Sequence, residues 1–411
     1  MQNSSDMPTP HIVRVAGVGC CLEDCIYDHI DFSSPAFHRH RSRSPGDGGL
    51  TPGALVLEDD FERFASCPFN AVLGQLTHGV APVSRNIGGP AIVALIHASQ
   101  LTAGGSHVSF YGCRADDEAG RFLAERLSTT PVDTTHYRVG AGSATASTVV
   151  LSDPTYDGGH GERAFVNTIG ASSDFRPEHL DDGFFRADIN VYGGTALVPA
   201  IHDSLTTLLQ RSKSEGSLTV VHTVFDFPNE KRHPGQRWPL GARDDAYPHV
   251  DLLIADREEA LRMSGCSDVA AALGFFKGRG VGAAIVTNGA NPVQLYAESP
   301  LFDSLPPTTM PVSQKVGRQL MSGSKGDTTG CGDNFAGGVL ASLIMQKNRG
   351  TTSFSLLEAC SWGIVSGGFA CFYYGGTYFE RHSGEKLRLL RPYYEEYQQQ
   401  LKEGEFLIYE S

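Results

Sequence analysis

The chain reads as an α/β protein built on a mostly parallel sheet, with a small β-structured appendage. Two observations predict this. First, four short apolar runs have strand length: Asp188–Tyr192, Leu218–Val221, Val250–Ile254 and Ala283–Thr287. Helix-sized stretches separate each run from the next, and such alternation builds βαβ units whose strands lie parallel. Second, hairpin-like β segments near residues 25–60 and 140–170 do not fit that sheet and read as a separate small layer. At 411 residues the chain is long enough for one large domain or two medium ones with a full core.

The elements follow in order. Residues 1–10 are polar and contain proline, which predicts a disordered N-terminal tail. His11–Gly17 alternates and is β-branched, so it reads as a strand running into the turn Gly17-Val18-Gly19. Residues 33–80 read as an inserted loop; its basic run, His38-Arg39-His40-Arg41-Ser42-Arg43, suits a solvated mobile segment better than a phosphate site. Gly88-Gly89-Pro90 opens an apolar stretch of helical length, Ala91–Leu101. Val108–Gly112 is a strand and Glu118–Leu127 a helix. Thr145–Leu151 is β-rich, and the Gly-rich turn Asp157–Gly161 leads into Ala164-Phe165-Val166, a hairpin signal. Asn334–Gln346 and Ser355–Phe372 are apolar helices. Pro392–Lys402 is a charged amphipathic helix with Pro392 in its first turn, where proline is tolerated. The main domain is therefore expected over 11–391, with a C-terminal helix and tail over 392–411.

Composition narrows the function. With 33 Lys+Arg against 46 Asp+Glu the net charge is −13, which argues against a general nucleic-acid or anionic-membrane binder. No apolar run reaches the ~18 residues of a membrane span, and the first residues lack the basic and apolar regions of a secretory signal. The nine cysteines are odd in number and irregularly spaced, so they are expected as reduced thiols in a cytoplasmic protein. Cys20, Cys21 and Cys25 lie close enough for a soft metal site, but no second Cys/His cluster completes four ligands, and small apolar filler at a strand end is the better reading.

The chemistry concentrates in Gly326-Asp327-Thr328-Thr329-Gly330-Cys331-Gly332-Asp333-Asn334. Gly330 and Gly332 let the backbone turn tightly directly before an apolar helix. The helix adds unpaired N–H groups and the positive end of its dipole. Together, the N–H groups of Gly330, Cys331 and Gly332 form an anion hole suited to a phosphoryl group. Asp333 at its mouth is either an N-cap, a role Asp fills well, or a base that takes a proton from an attacking alcohol. No Walker-type loop, His-Glu-x-x-His or Gly-x-Ser-x-Gly is present, and Gly17-Val18-Gly19 is a weak dinucleotide fingerprint.

Asp327-Thr328-Thr329-Gly330-Cys331-Gly332-Asp333 resembles the C-terminal signature of the ribokinase-like (PfkB) family of carbohydrate and nucleoside kinases, Asp-Thr-x-Gly-Ala-Gly-Asp, with Cys331 for Ala. Weaker pieces resemble the family in the same order over about 12–376. Asp24 stands five residues after Gly19, at the spacing of a sugar-binding Asp, with Asp28 as a rival. Asp47-Gly48-Gly49 resembles a Gly-rich lid segment. Gly88-Gly89 resembles the substrate loop, although Val93 stands where that loop carries Asn. Gly112, Ala115, Asp117 and Gly120 resemble a Gly-x-x-Gly-x-Asp-x-x-Gly stretch, with Ala115 for its second Gly. Gly161-Glu162-Arg163-Ala164-Phe165 resembles the lid hairpin. Asp256 and Glu259 resemble Asn-x-x-Glu, with Asp256 for Asn. Thr287-Asn288-Gly289 resembles the nucleotide-lining Thr-x-Gly.

The resemblance implies a three-layer αβα sandwich with a mostly parallel central sheet and a β lid. It implies transfer of the γ-phosphoryl group of ATP to a hydroxyl of a sugar or sugar-like alcohol, with Asp333 as base. Asp24, Asp28, Asp47, Gly88 and Gly89 then serve the acceptor, and Thr287, Gly289 and Thr328 the nucleotide. Glu259 and Asp256 act on Mg²⁺ through water. The implied partners are a small sugar or nucleoside, no nucleic acid and no membrane, with a homodimer through the lid as the family's common assembly. A nucleoside kinase and a catalytically reduced binding or regulatory member stand as alternatives. A dinucleotide-dependent dehydrogenase is disfavoured by the missing fingerprint. Asp226, at a strand end, and Arg39, Arg41 and Arg43 are further polar candidates.

Overall fold

A computed structural model describes residues 12–404 apart from 45, 142, 143, 160, 324 and 325. The expected N-terminal tail and the last residues of the C-terminal tail lie outside the described residues. The strands are β1 Val13–Gly19, β2 Leu22–Tyr27, β3 Leu55–Leu57, β4 Ser84–Gly88, β5 Ser106–Arg114, β6 Asp133–Val139 and β7 Ser147–Asp153. They continue with β8 Glu162–Thr168, β9 Ile189–Gly193, β10 Leu218–His222, β11 Leu252–Asp256, β12 Ala283–Asn288, β13 Asn291–Ala297 and β14 Leu305–Met310.

Nine strands form the central sheet in the order β14-β13-β12-β11-β10-β9-β1-β5-β6. From β12 to β6 every neighbouring pair is parallel, while β13 and β14 close one edge antiparallel. Alternation along β1 shows why the sheet is covered twice. Val13 and Val15 join the core under helices Pro90–Thr102, Cys331–Asn348 and Leu356–Ala370, whereas Ala16 and Val18 join the core under helices Leu205–Ser214, Arg257–Ser264 and Val269–Gly278. Strands buried on both faces are expected to be largely apolar; β9 and β10 are buried at every position, with Asn190, Thr219 and His222 as their polar members. The result is a three-layer αβα sandwich.

β14, β13, β6 and β4 are strands the sequence reading passes over. Pro306 and Pro307 in β14 argue against a strand, yet β14 is an edge, where a missing N–H costs no ladder bond. The last helix spans Glu385–Glu403 and not 392–402, so Pro392 lies inside it and the 391/392 boundary cuts a continuous helix. Its start is set earlier by Gly384 at φ 78°.

The second sheet, β3-β8-β7-β2-β4, is the lid. The pairing Asp24↔Thr148 and Cys25↔Val149 puts Asp24 and Thr148 on one face and Cys25 and Val149 on the other. Residues 33–80 correct the expected loop: they fold into β3 and the helices Pro35–His40, Glu58–Ala65 and Phe69–Leu76. These helices are short, and their apolar residues are too few per segment to show a period, which is why the stretch looks unstructured. Their Phe37, Phe61, Phe69, Val72 and Leu76 are buried against Tyr27, Leu151, Ala164 and Val166. The insertion thus covers the outer face of the lid with the chain itself. His40 of the basic run is buried beside Phe61, while Arg39, Arg41 and Arg43 are exposed on this outer layer.

Candidate active site

The C-terminal ends of β1, β9 and β10 meet where strand order changes direction around β1, the position where open α/β sheets bind ligands. The helix Cys331–Asn348 points its first turn there. Its N-cap is Gly330 at φ 73°, a left-handed conformation open to glycine, and no side chain caps it. Asp333 is therefore not the N-cap but the third residue of the helix. The first-turn N–H groups have no acceptors within the helix; that of Cys331 reaches back to the Thr328 carbonyl at 3.3 Å.

The loop before the helix is held from several sides. Asp327 accepts from the N–H groups of Thr329 (3.0 Å) and Gly375 (3.3 Å). Asn334 donates from Nδ2 to the Gly330 and Gly376 carbonyls at 2.8 and 2.7 Å. The buried Lys386 donates to Asn334 Oδ1 at 3.0 Å.

Asp333 faces the cleft with its side chain 21 % exposed. Burial raises its carboxyl from 3.8 to about 7. Its Oδ1 lies 3.9 Å from His222 Nε2. Burial pushes His222 down to about 4, so that imidazole is neutral at pH 7 and forms no ion pair. Asp24 is buried nearby, its carboxyl raised by burial and then by the negative charges of Asp333 and Asp327. Gly88 is built around it: a Cβ there would sit 2.2 Å from Asp24 Oδ2. Gly89 follows at φ 115° and opens the helix Pro90–Thr102. The structure thus packs Gly88 and Gly89 around Asp24 and brings Asp333 close enough for its charge to act on that carboxyl.

Glu259 and Asp256 stand at the end of β11. They form a capping box, each carboxylate accepting the other's backbone N–H at 2.8 and 3.1 Å, and Thr223 donates to Glu259 Oε2 at 2.6 Å. Burial, and then Asp256 and Asp333, push Glu259 up to about 8. Thr287 is the register partner of Asp256, and Gly289 turns at φ 55° two residues on. Thr328 Oγ1 accepts from Arg163 Nη2 at 2.5 Å, and Arg163 Nη1 reaches Thr329 Oγ1 at 3.4 Å.

Of the other candidates, Asp226 lines a small cavity with Thr223 and Glu259, and the rest lie elsewhere. Asp28 lies past the end of β2, its side chain 42 % exposed beside His29. Asp47 accepts from the N–H groups of Arg43, Ser44 and Gly49 and shapes its own loop, bonds that hold it at about 2. Asp226 caps the helix Phe227–Arg232 and accepts twice from Asn229. Val93 packs in the core against Gly376. Asp117 accepts from both the N–H and the hydroxyl of Thr145, so its stretch anchors the root of the lid. Cys20 and Cys21 are buried, and among the described residues no group of three or more His, Cys, Asp or Glu is placed to hold a metal. Among the described residues no helix is long and apolar enough to cross a membrane.

Two residues of the cleft escape sequence reasoning. His222 ends an apolar strand, and that strand-end position was the only available signal. Arg163 sits in the hairpin segment singled out above, but nothing local shows that it crosses to Thr328.

The comparisons with known proteins agree with this architecture. The family model described as pfkB family carbohydrate kinase matches residues 70–380. The chain is 29 % identical over 284 residues to a fructokinase of Klebsiella pneumoniae, covering 67 % of this chain and 82 % of that protein. It is 26 % identical over 249 residues to the aminoimidazole riboside kinase of Salmonella typhimurium, covering 58 % and 69 %. The adenosine kinase structure from Sinorhizobium meliloti shares the fold with a TM-score of 0.65 at 20 % identity, covering 92 % of this chain and 99 % of that one.

Proposed function

The chain belongs to the pfkB family of carbohydrate kinases, and from that membership we propose that it transfers the γ-phosphoryl group of ATP to a hydroxyl of a sugar or sugar-like alcohol. The observation that carries the reading is Asp333: a carboxyl raised to about 7, in the first turn of a helix that no side chain caps, close enough to Asp24 for its charge to act there. A base works best with a pKa near the working pH.

In this reading Asp24 accepts hydrogen bonds from acceptor hydroxyls and, against Gly88 and Gly89, turns one of them toward Asp333. Asp333 takes that hydroxyl's proton as the oxygen attacks phosphorus. The N–H groups of Gly330, Cys331 and Gly332 and the positive end of the helix face the charge on the transferring phosphoryl oxygens. Arg163, carried by the lid, adds a full positive charge beside them and ties lid to hole through Thr328. The lid excludes water, which would otherwise accept the phosphoryl group. Thr287 and Gly289 line the nucleotide.

The carboxylates of Asp256 and Glu259 suit Mg²⁺. Glu259 is an acid pushed up first by burial and then by the charges of Asp256 and Asp333, a charge distribution that a cation would relieve, and two carboxylates with a hydroxyl would make an outer shell for a hydrated ion. When bound, Mg²⁺ neutralises phosphate charge.

The acceptor is a sugar or a riboside; the fructokinase and riboside kinase relatives support both. The test is ADP release from Mg·ATP over hexoses, pentoses, sugar phosphates and nucleosides, with ³¹P NMR of the product. ATP binding without turnover on any acceptor overturns the reading in favour of a regulatory protein.

A further inference from the structure

Cys331 is the one position where the signature departs from its family pattern, and the mechanism above uses only its backbone. It is the first residue of the helix Cys331–Asn348. Cys371 closes the helix Leu356–Ala370. Forty residues apart in sequence, their Sγ atoms lie 3.3 Å apart, and both residues are partly exposed. Cys20, Cys21, Cys113 and Cys360, by contrast, are buried.

The two thiols join the two chain segments that frame the anion hole. Asp327 N–H donates to the Tyr373 carbonyl at 3.2 Å, Gly375 N–H to Asp327, and Asn334 to the Gly376 carbonyl. A Cβ on Gly330 would lie 2.4 Å from Gly376 Cα, so the segments touch directly. The hydrogen bond between the sulfurs lowers the Cys371 thiol and raises that of Cys331, which makes Cys371 the better nucleophile.

We propose that Cys331 and Cys371 are an oxidisable dithiol, a modification site for hydroperoxides whose disulfide disables the anion hole. The Cys371 thiolate attacks a peroxide oxygen. The O–O bond breaks, the alkoxide or hydroxide leaves and takes up a proton, and Cys371 becomes a sulfenic acid. Cys331 sulfur then attacks the Cys371 sulfur; the S–S bond forms and the hydroxyl leaves with the thiol proton as water. Two thiols and one hydroperoxide give one disulfide, one alcohol (or water) and one water. The sulfurs must close from 3.3 Å to about 2.05 Å. This draws the first helical residue toward Cys371 and shifts the Gly330–Gly332 amides. A displacement of about 1 Å at a reacting centre costs on the order of 10²-fold in rate.

The crosslink rests on the distance between the sulfurs and is independent of the kinase reading, on which its effect on turnover rests. The full chain is treated with hydrogen peroxide, blocked with N-ethylmaleimide and digested without reduction, and kcat is measured in parallel before and after dithiothreitol. The expected result is a crosslinked peptide pair containing Cys331 and Cys371, a fall of about 10²-fold in kcat, and recovery on reduction. Cys371→Ser should remove the crosslink and hold its own untreated rate in peroxide. Absence of the crosslink overturns the proposal, as does a crosslink with unchanged kcat, or equal inactivation of Cys371→Ser. A chain that forms the crosslink but turns over no acceptor refutes the kinase reading and leaves the dithiol standing.

Discussion

Replacing Asp333 by Asn should split activity from stability in opposite directions. The substitution keeps shape and removes the charge. Losing a general base costs ~10²–10⁴-fold in kcat. Stability moves the other way, because the cleft holds this carboxylate against burial. Its folded value is about 7 against an ordinary 3.8. The folded state therefore binds more protons than the unfolded chain between these values, and stability falls as pH rises from about 4 to about 7. At ~1.36 kcal/mol per pH decade the full penalty is about 4 kcal/mol. The side chain is 21 % exposed, which trims the expectation to roughly 2–4 kcal/mol at pH 8 and about 1 at pH 5. Urea unfolding at the two pH values and steady-state ADP release measure both effects. An unchanged kcat removes Asp333 from the mechanism. A variant with lost turnover but no stability gain at pH 8 refutes the claim that burial tunes this carboxyl.

Three further outcomes follow from the same geometry. Gly88→Ala places a methyl 2.2 Å from Asp24 Oδ2 and must move that carboxylate, so acceptor KM should rise at least about tenfold; calorimetry should find ATP affinity unchanged. Arg163→Met removes a charged hydrogen bond to Thr328 and the lid's positive charge. A loss of about 1.5 kcal/mol, roughly tenfold in kcat/KM for Mg·ATP, is expected with an unaltered circular dichroism spectrum. Lys386 is pushed by burial down to about 7 from 10.5, so the unfolded chain holds the extra proton and stability rises with pH across that interval. Lys386→Met should flatten this rise in urea titrations at pH 7 and pH 9; an unchanged slope assigns it to another group.

Much of the site was legible because its grammar is local. Gly330, Gly332 and Asp333 lie within one turn, and an apolar helix after a glycine bend declares an open N-terminus wherever it occurs. The parallel strands were legible for a similar reason, since burial on both faces writes itself as largely apolar runs. Sequence also separated Asp24 and Asp28 by only four positions, and there it could not choose. One residue lies inside β2 facing the cleft, the other beyond its end. The stretch 33–80 misled because its helices are too short to show a period, and their apolar residues have meaning only against the lid sheet they cover.

Sequence alone determined the glycine bend, the acid after it, the strand–helix alternation that makes a mostly parallel sheet, and the pair Gly88-Gly89. Tertiary structure decided which distant groups reach that bend: His222 beside the acid from a strand end, Arg163 on Thr328 from the lid, and Cys371 against Cys331 from the end of a neighbouring helix. It also decided the raised carboxyl of Asp333. The physical reason is that backbone conformation follows from neighbours along the chain, whereas desolvation and charge–charge distance depend on which segments the folded core presses together.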